Sequence, residues 1–141
     1  MGLLNFAKNV GKKLFGEDDD EATATEALNT EIADLGLDAE GVEIAVQGDE
    51  VVLTGKPASK SIKEKLMLAL GNVKGIAGVQ DNSEDDSEGV FHTVESGDTL
   101  WAIAEKTMGN GAKYEEIFEA NKPMLTHPDK IYPGQVLRIP T

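Results

Sequence analysis

The apolar residues of this 141-residue chain change their period several times, and each change predicts an element. In the opening stretch MGLLNFAKNVGKKLFG, Leu3, Phe6, Ala7, Val10 and Leu14 recur at spacings of three and four. That spacing predicts an amphipathic helix over residues 1–16, its stripe docked on the body of the protein; the lysine-bearing face is one that anionic lipid would also attract. Ala24, Ala27, Leu28, Ile32 and Leu35 predict a second helix from Ala22 to Leu37, ending at Gly36 or soon after. Alternation then takes over: Val42, Ile44 and Val46, the turn Gly48-Asp49 and the run Val51 to Thr54 predict a β-hairpin ending at Gly55. Ser59 is placed to cap a helix through Ile62, Leu66, Ala69 and Leu70, and residues 76–79 predict a last short strand.

Asp81 to Gly89 is acidic and without apolar period, which predicts a solvated linker. A calcium loop counted from Asp81 would need Gly at its sixth position and Glu at its twelfth; these are Asp86 and His92, so that reading fails. Beyond the linker, Phe91 to Val94 predicts a strand, and Ser96-Gly97-Asp98 leads into a helix through Leu100, Ile103, Ala104 and Thr107, with Asp98 as its expected cap. A further helix around Tyr114, Ile117 and Phe118 ends near Pro123. Tyr132-Pro133-Gly134-Gln135 has the Pro and Gly of a type II turn, and Val136 to Ile139 follows as a strand. The fold class is α+β, in two small domains.

Charge sharpens this division. Residues 17–88 hold 19 acids against five lysines, a net −14 that repels a phosphate backbone and excludes nucleic acid as a partner. The absence of cysteine excludes disulfides, thiolate zinc and a thiol nucleophile. Asn5 and Lys8 interrupt the first apolar stretch, so a secretory signal is not expected, and no run has the ~20 apolar residues of a spanning helix. Phe6 stands where N-myristoylation needs Ser or Thr. The expectation is a cytoplasmic monomer with no stable membrane anchor. His92 and His127 have no partner at metal-ligand spacing, and no carboxylate pair or triad can be assembled, so a binding protein is expected rather than an enzyme.

Three segments carry resemblances. Val42-x-Ile44-x-Val46, Gly48, Val51-x-Leu53-x-Gly55, a helix and then Gly75-Ile76-x-x-Val79 resemble the BON domain, over about residues 20–82. HTVESGDTLWAIAEKT, IFEANK and IYPGQVLRIP closely resemble LysM. The LysM resemblance implies two helices on a two-stranded sheet and a shallow groove for glycans rich in N-acetylglucosamine. Its matching groove residues are Gly97, Asp98, Thr99 and Leu100 on one side and Ile131, Tyr132, Pro133 and Gly134 on the other. Turns need these glycines and the proline, and the core needs Leu100, whatever the ligand. Trp101 is open to two readings, stacking on a sugar or partial burial against the small core.

Nearly end to end, with MGLLNFAKNVGKKLFG and EANKPMLTHPDKIYPGQVLRIP most telling, the sequence is similar to the bacterial cytoplasmic potassium-binding protein family. The resemblance implies a helix over 1–16, an αββαβ BON domain over 17–82, an acidic linker over 83–90 and a βααβ LysM domain over 91–141. It also implies selective binding of K+ with a conformational response, as a sensor or buffer. A large, weakly hydrated cation is matched by neutral carbonyl oxygens. The helix ending at Gly71 to Ile76 and the first segment, broken by Gly11, are expected to supply them from Ala7, Val10, Lys12, Gly71, Val73 and Ile76. Both stretches also read as ordinary helix ends. The competing functions are a cell-envelope protein holding peptidoglycan through LysM, and an adaptor for a protein partner.

Overall fold

A computed structural model describes residues 2–16, 18–85, 87 and 89–140. Met1, Glu17, Asp86, Glu88 and Thr141 lie outside the described residues, and with them the outer limits expected for the first and last segments and two positions of the expected linker. The chain divides into two units, residues 1–87 and 88–141.

The first unit is built on a four-stranded sheet in which β1 (Gly2–Asn5) pairs with β4 (Gly78–Ser83), β4 with β3 (Glu50–Gly55) and β3 with β2 (Val42–Gln47). Strands β2 (Val42–Gln47) and β3 (Glu50–Gly55) form the expected hairpin, turned at Gly48, whose φ of +66° suits glycine. Helix α2 (Lys60–Gly71) carries the chain across to β4 (Gly78–Ser83), which runs parallel to β3 with Val51 opposite Val79 and Leu53 opposite Asp81. Register therefore puts Val46, Val51, Leu53, Val79 and Asp81 on one buried face. Helix α1 (Glu21–Leu35) contributes Ala24, Leu28 and Ile32, and α2 contributes Leu66, Leu68 and Leu70. Side chains cap both helices as the sequence predicts for α2: Thr23 N donates to Asp20 Oδ1 at 2.7 Å and Ile62 N to Ser59 Oγ at 3.1 Å. Gly36, at φ +73°, ends α1.

The expected helix over residues 1–16 does not form. Gly2–Asn5 is an edge strand, β1, antiparallel to β4, with Leu4 opposite Val79. Leu3 then points to the other face and stays half exposed, whereas Phe6 is buried and its ring lies on Gly71. The helical spacing was real, but pairing with β4 satisfies the backbone, and of the stripe residues only Phe6 becomes buried. The linker expectation is corrected too: Asp81 to Ser83 belong to β4, and Asp81 is buried.

In the second unit, β5 (Val90–Thr93) pairs antiparallel with β6 (Val136–Ile139). Between them come α3 (Leu100–Met108), a 3-10 turn (Gly111–Lys113) and α4 (Tyr114–Ala120). Val94, Leu100, Ile103, Ala104, Ile117, Leu125, Leu137 and Ile139 form its core. The buried Asn121 side chain, just after α4, donates to Ile117 O and Arg138 O at 2.7 and 2.9 Å and accepts from Arg138 N at 2.7 Å, pinning α4 to β6. Two helices with a two-stranded antiparallel sheet is the arrangement expected.

Candidate functional site

After β1, the chain turns at Ala7 to Val10, where Val10 N donates to Ala7 O at 3.3 Å, and returns along the segment that leaves α2. Main-chain bonds join the two stretches at four places. Phe6 N donates to Ala77 O at 2.9 Å, Gly75 N to Lys8 O at 2.7 Å, Lys12 N to Asn72 O at 3.1 Å and Lys74 N to Lys12 O at 2.9 Å. Two glycines permit this approach. Gly11 has φ +106° and Gly75 φ +102°, and a Cβ on Gly11 would stand 2.5 Å from Asn72 O.

All six expected carbonyl residues therefore lie on two facing stretches. Lys12 O accepts from Lys74 N, Val73 O accepts from Ile76 N at 3.1 Å, and Ala7 O accepts from Val10 N. A carbonyl has two lone pairs, so one hydrogen bond leaves it able to coordinate a cation. Val10, Gly71 and Ile76 sit on the same stretches, Ile76 fully buried and Gly71 under the Phe6 ring. Side-chain charge surrounds them. Lys12 Nζ meets the Glu31 carboxylate of α1 at 2.8 Å, and Lys8 Nζ lies 3.5 Å from Asp49 at the surface. An open cleft of about 880 Å³ lies alongside, lined by Lys8, Phe15, Lys74 and Gly75 together with Asp20 and Glu21 at the start of α1.

A second charged centre was not foreseen. Lys63 of α2 is almost wholly buried, and its Nζ lies 2.9 Å from Asp81 Oδ2, 2.9 Å from Asp85 O, 2.7 Å from Ser87 O and 3.6 Å from Asp85 Oδ1. Burial pushes the Asp81 carboxyl up, but the Ser83 hydroxyl, the Lys63 ammonium and the Ser83 N–H together hold it below the usual carboxylate range. Ser87 and, more weakly, Lys63 hold Asp85 low as well. The signal was the alternation Asp81, Ser83, Asp85, Ser87: oxygens of Asp81, Asp85 and Ser87 surround the ammonium, and the Ser83 hydroxyl bonds Asp81 Oδ1 and Asp85 O.

In the second unit, Val94 ties the two groove loops together: Val94 N donates to Gln135 O and Gly134 N to Val94 O, both at 2.8 Å. Gly97 and Gly134 both have φ +90°, and Gln135 N closes the predicted turn onto Tyr132 O at 3.1 Å. Leu100 is buried and Ile131 packs against the core. The cap of α3 is Thr99, whose hydroxyl accepts from Ala102 N at 3.1 Å, and not Asp98. Asp98 instead accepts from Glu95 N at 2.8 Å and meets His92 Nε2 at 3.0 Å, and these partners, the Glu95 N–H foremost, lower its carboxyl from the usual value. Burial raises the Tyr132 hydroxyl. Trp101 lays one face on Gly111 yet remains 55% exposed.

Among the described residues no group of three or more His, Asp or Glu side chains is arranged to hold a metal, and no helix is long and apolar enough to cross a membrane. The BON domain family matches residues 19–83, and the LysM domain family matches residues 92–140. The potassium binding protein Kbp of Escherichia coli is 46% identical over 99% of this chain and 99% of its own. An uncharacterized protein of Deinococcus radiodurans is 33% identical over 70% of this chain and 44% of its own, and the uncharacterized protein YqbP of Bacillus subtilis 38% identical over 35% and 26%. Two matched domains in this order and the identity with Kbp along both whole chains settle descent: the protein belongs to the Kbp family.

Proposed function

We propose that this protein is a potassium-binding sensor or buffer of the cytoplasm, acting as a monomer and without catalysis. The ion is held by main-chain oxygens of Ala7, Val10, Lys12, Gly71, Val73 and Ile76. The supporting observation is the pair of glycine-relaxed stretches, residues 6–12 and 71–77, joined to each other through main-chain bonds. The similarity to a protein named for potassium binding points the same way. Neutral oxygens from two stretches replace the hydration shell of K+ better than that of the smaller, more tightly hydrated Na+. Binding only when the stretches are together, the ion orders the first unit.

Calorimetry of the metal-free protein against potassium, sodium, magnesium and calcium salts tests this. Saturable binding of K+ in preference to Na+ is expected; absence of K+ binding, or equal binding of both, overturns it. Gly75→Val, which forces a β-branched residue into φ +102° beside Phe15, should abolish binding, whereas joint replacement of Asp18, Asp19 and Asp20 by Asn should weaken it only modestly.

A second reading, glycan binding by the LysM unit, is favoured by the joined groove loops and the exposed indole of Trp101. Titration with chitooligosaccharides, followed by Trp101 fluorescence, tests it. An unchanged signal and no heat would dismiss it and leave a protein partner for that surface.

A further inference from the structure

Helix α1 presents Ala24, Leu28, Glu31 and Ile32 to the interior, so Glu31 occupies a position where an aliphatic side chain would pack. Its carboxylate is only 10% exposed, and burying a charge is costly unless it is paired. Its partner is Lys12 Nζ, which reaches both oxygens, at 2.9 Å to Oε1 and 2.8 Å to Oε2. The Lys12 side chain is 60% exposed. The two ends are therefore unequal: the carboxylate is fixed in the helix, and the ammonium comes to it. A pair with one end in solvent contributes little to stability, so stability alone does not account for a carboxylate placed here.

The main chain of the same lysine is bonded on both sides, its N–H to Asn72 O and its carbonyl to Lys74 N. Lys12 thus connects three parts of the first unit: α1 through its side chain, the stretch leaving α2 through its backbone, and the turn at Ala7 to Val10 through the chain itself. An unpaired ammonium on that residue would also repel a cation held by its own carbonyl.

We propose that Glu31 is a positioning residue for the cation site. By holding and neutralising Lys12 it fixes the Lys12 carbonyl against the 71–76 stretch and removes the repulsion the ammonium would exert. This rests on the carbonyl-site reading above. Glu31 touches no ion; it acts through Lys12.

The test is potassium and sodium affinity of the full chain by calorimetry and competition, for wild type, Glu31→Gln, Lys12→Met and the double variant, with thermal melting in sodium alone as a check on folding. Glu31→Gln should weaken potassium binding about tenfold and narrow the preference for potassium over sodium, the size of coupling expected between residues in contact. Lys12→Met should do the same by removing the other half of the pair, and the double variant should be no worse than either. Loss of folded fraction alone would scale both ions' affinities alike and leave their ratio unchanged, and that result overturns the proposal. So does a Glu31→Gln protein with wild-type affinity and ratio. If Glu31→Gln fails to fold, Lys12→Met, altered on the solvent side, carries the test. Wild type that binds no potassium would instead overturn the function reading.

Discussion

Among the described residues, the first unit buries Glu31, Lys63, Glu64 and Asp81, while the second buries the neutral amides Asn121 and Gln135. Both belong to small α+β folds with aliphatic cores, yet the consequences differ. An amide satisfied by main-chain groups is indifferent to salt and pH, as Asn121 is between Ile117 and Arg138. A buried charge is stable only while its partner is present and in the right protonation state. The first unit is therefore the one whose core stability can follow the ionic composition around it, whereas the buried polar side chains described in the second are uncharged. Four experiments test that contrast.

The largest effect should come from Lys63→Met. It strands the Asp81 carboxylate and frees the oxygens of Asp85 and Ser87, and breaking a buried pair in this way costs about 3–5 kcal/mol. Amide hydrogen exchange should show α2 and β4 losing protection while β5 and β6 keep theirs; equal loss in both units would break the comparison. Next comes potassium itself. At a hundredfold excess over its dissociation constant it should stabilise the first unit by about 2.7 kcal/mol, at fixed ionic strength made up with sodium, and leave exchange in the second unchanged. Stabilisation of both units, or by sodium equally, would count against a site confined to the first.

Asn121→Ala is the mirror experiment. It removes three hydrogen bonds and should cost the second unit about 2 kcal/mol, read as faster exchange in α4 and β6, with potassium affinity unaltered. The smallest effect is on pH. Asp81 and Asp85 have carboxyls held below their ordinary value in the fold. Their contribution is present above the unfolded carboxylate pKa, about 3.9, and is lost as pH falls through the lower folded values. Acid titration followed by NMR should show the first unit weakening below about pH 4, with Asp81→Asn flattening the slope. Asp98 gives the second unit a dependence of the same sign from a more accessible pair, so a steeper acid response there would reverse the contrast.

Much of this was legible in the residues. The hairpin, α1, α2 with its Ser59 cap, and the type II turn at Tyr132 to Gln135 are set by local chemistry, and local chemistry is what a sequence displays. The failures share a cause, which is distance along the chain. Leu3 and Phe6 fit a helical stripe, but β4, some seventy residues on, decides that this stretch is a strand. Asp81 and Asp85 read as solvated until Lys63 is seen to reach them. Thr99 rather than Asp98 caps α3 because His92 and the Glu95 N–H already claim the Asp98 carboxylate. Of the candidate cation site, the two stretches were legible from their glycines; Glu31 was not, because on a helical wheel it is one more acid in an acidic chain.

The pairing of β1 with β4 also sets an order of events during synthesis. Asn5 lies opposite Gly78, so the strand made early has no partner until more than seventy further residues have been added, about 4–15 s at ribosomal speeds. Through that interval Leu3, Leu4 and Phe6 are without their sheet, and Lys8 and Lys12 without the 72–75 backbone they later bond. On the proposed carbonyl site, a nascent chain halted before residue 71 would have one wall of the site and no ion affinity. Release past β4 should then confer binding in a single step, which makes potassium a reporter of when the first unit closes.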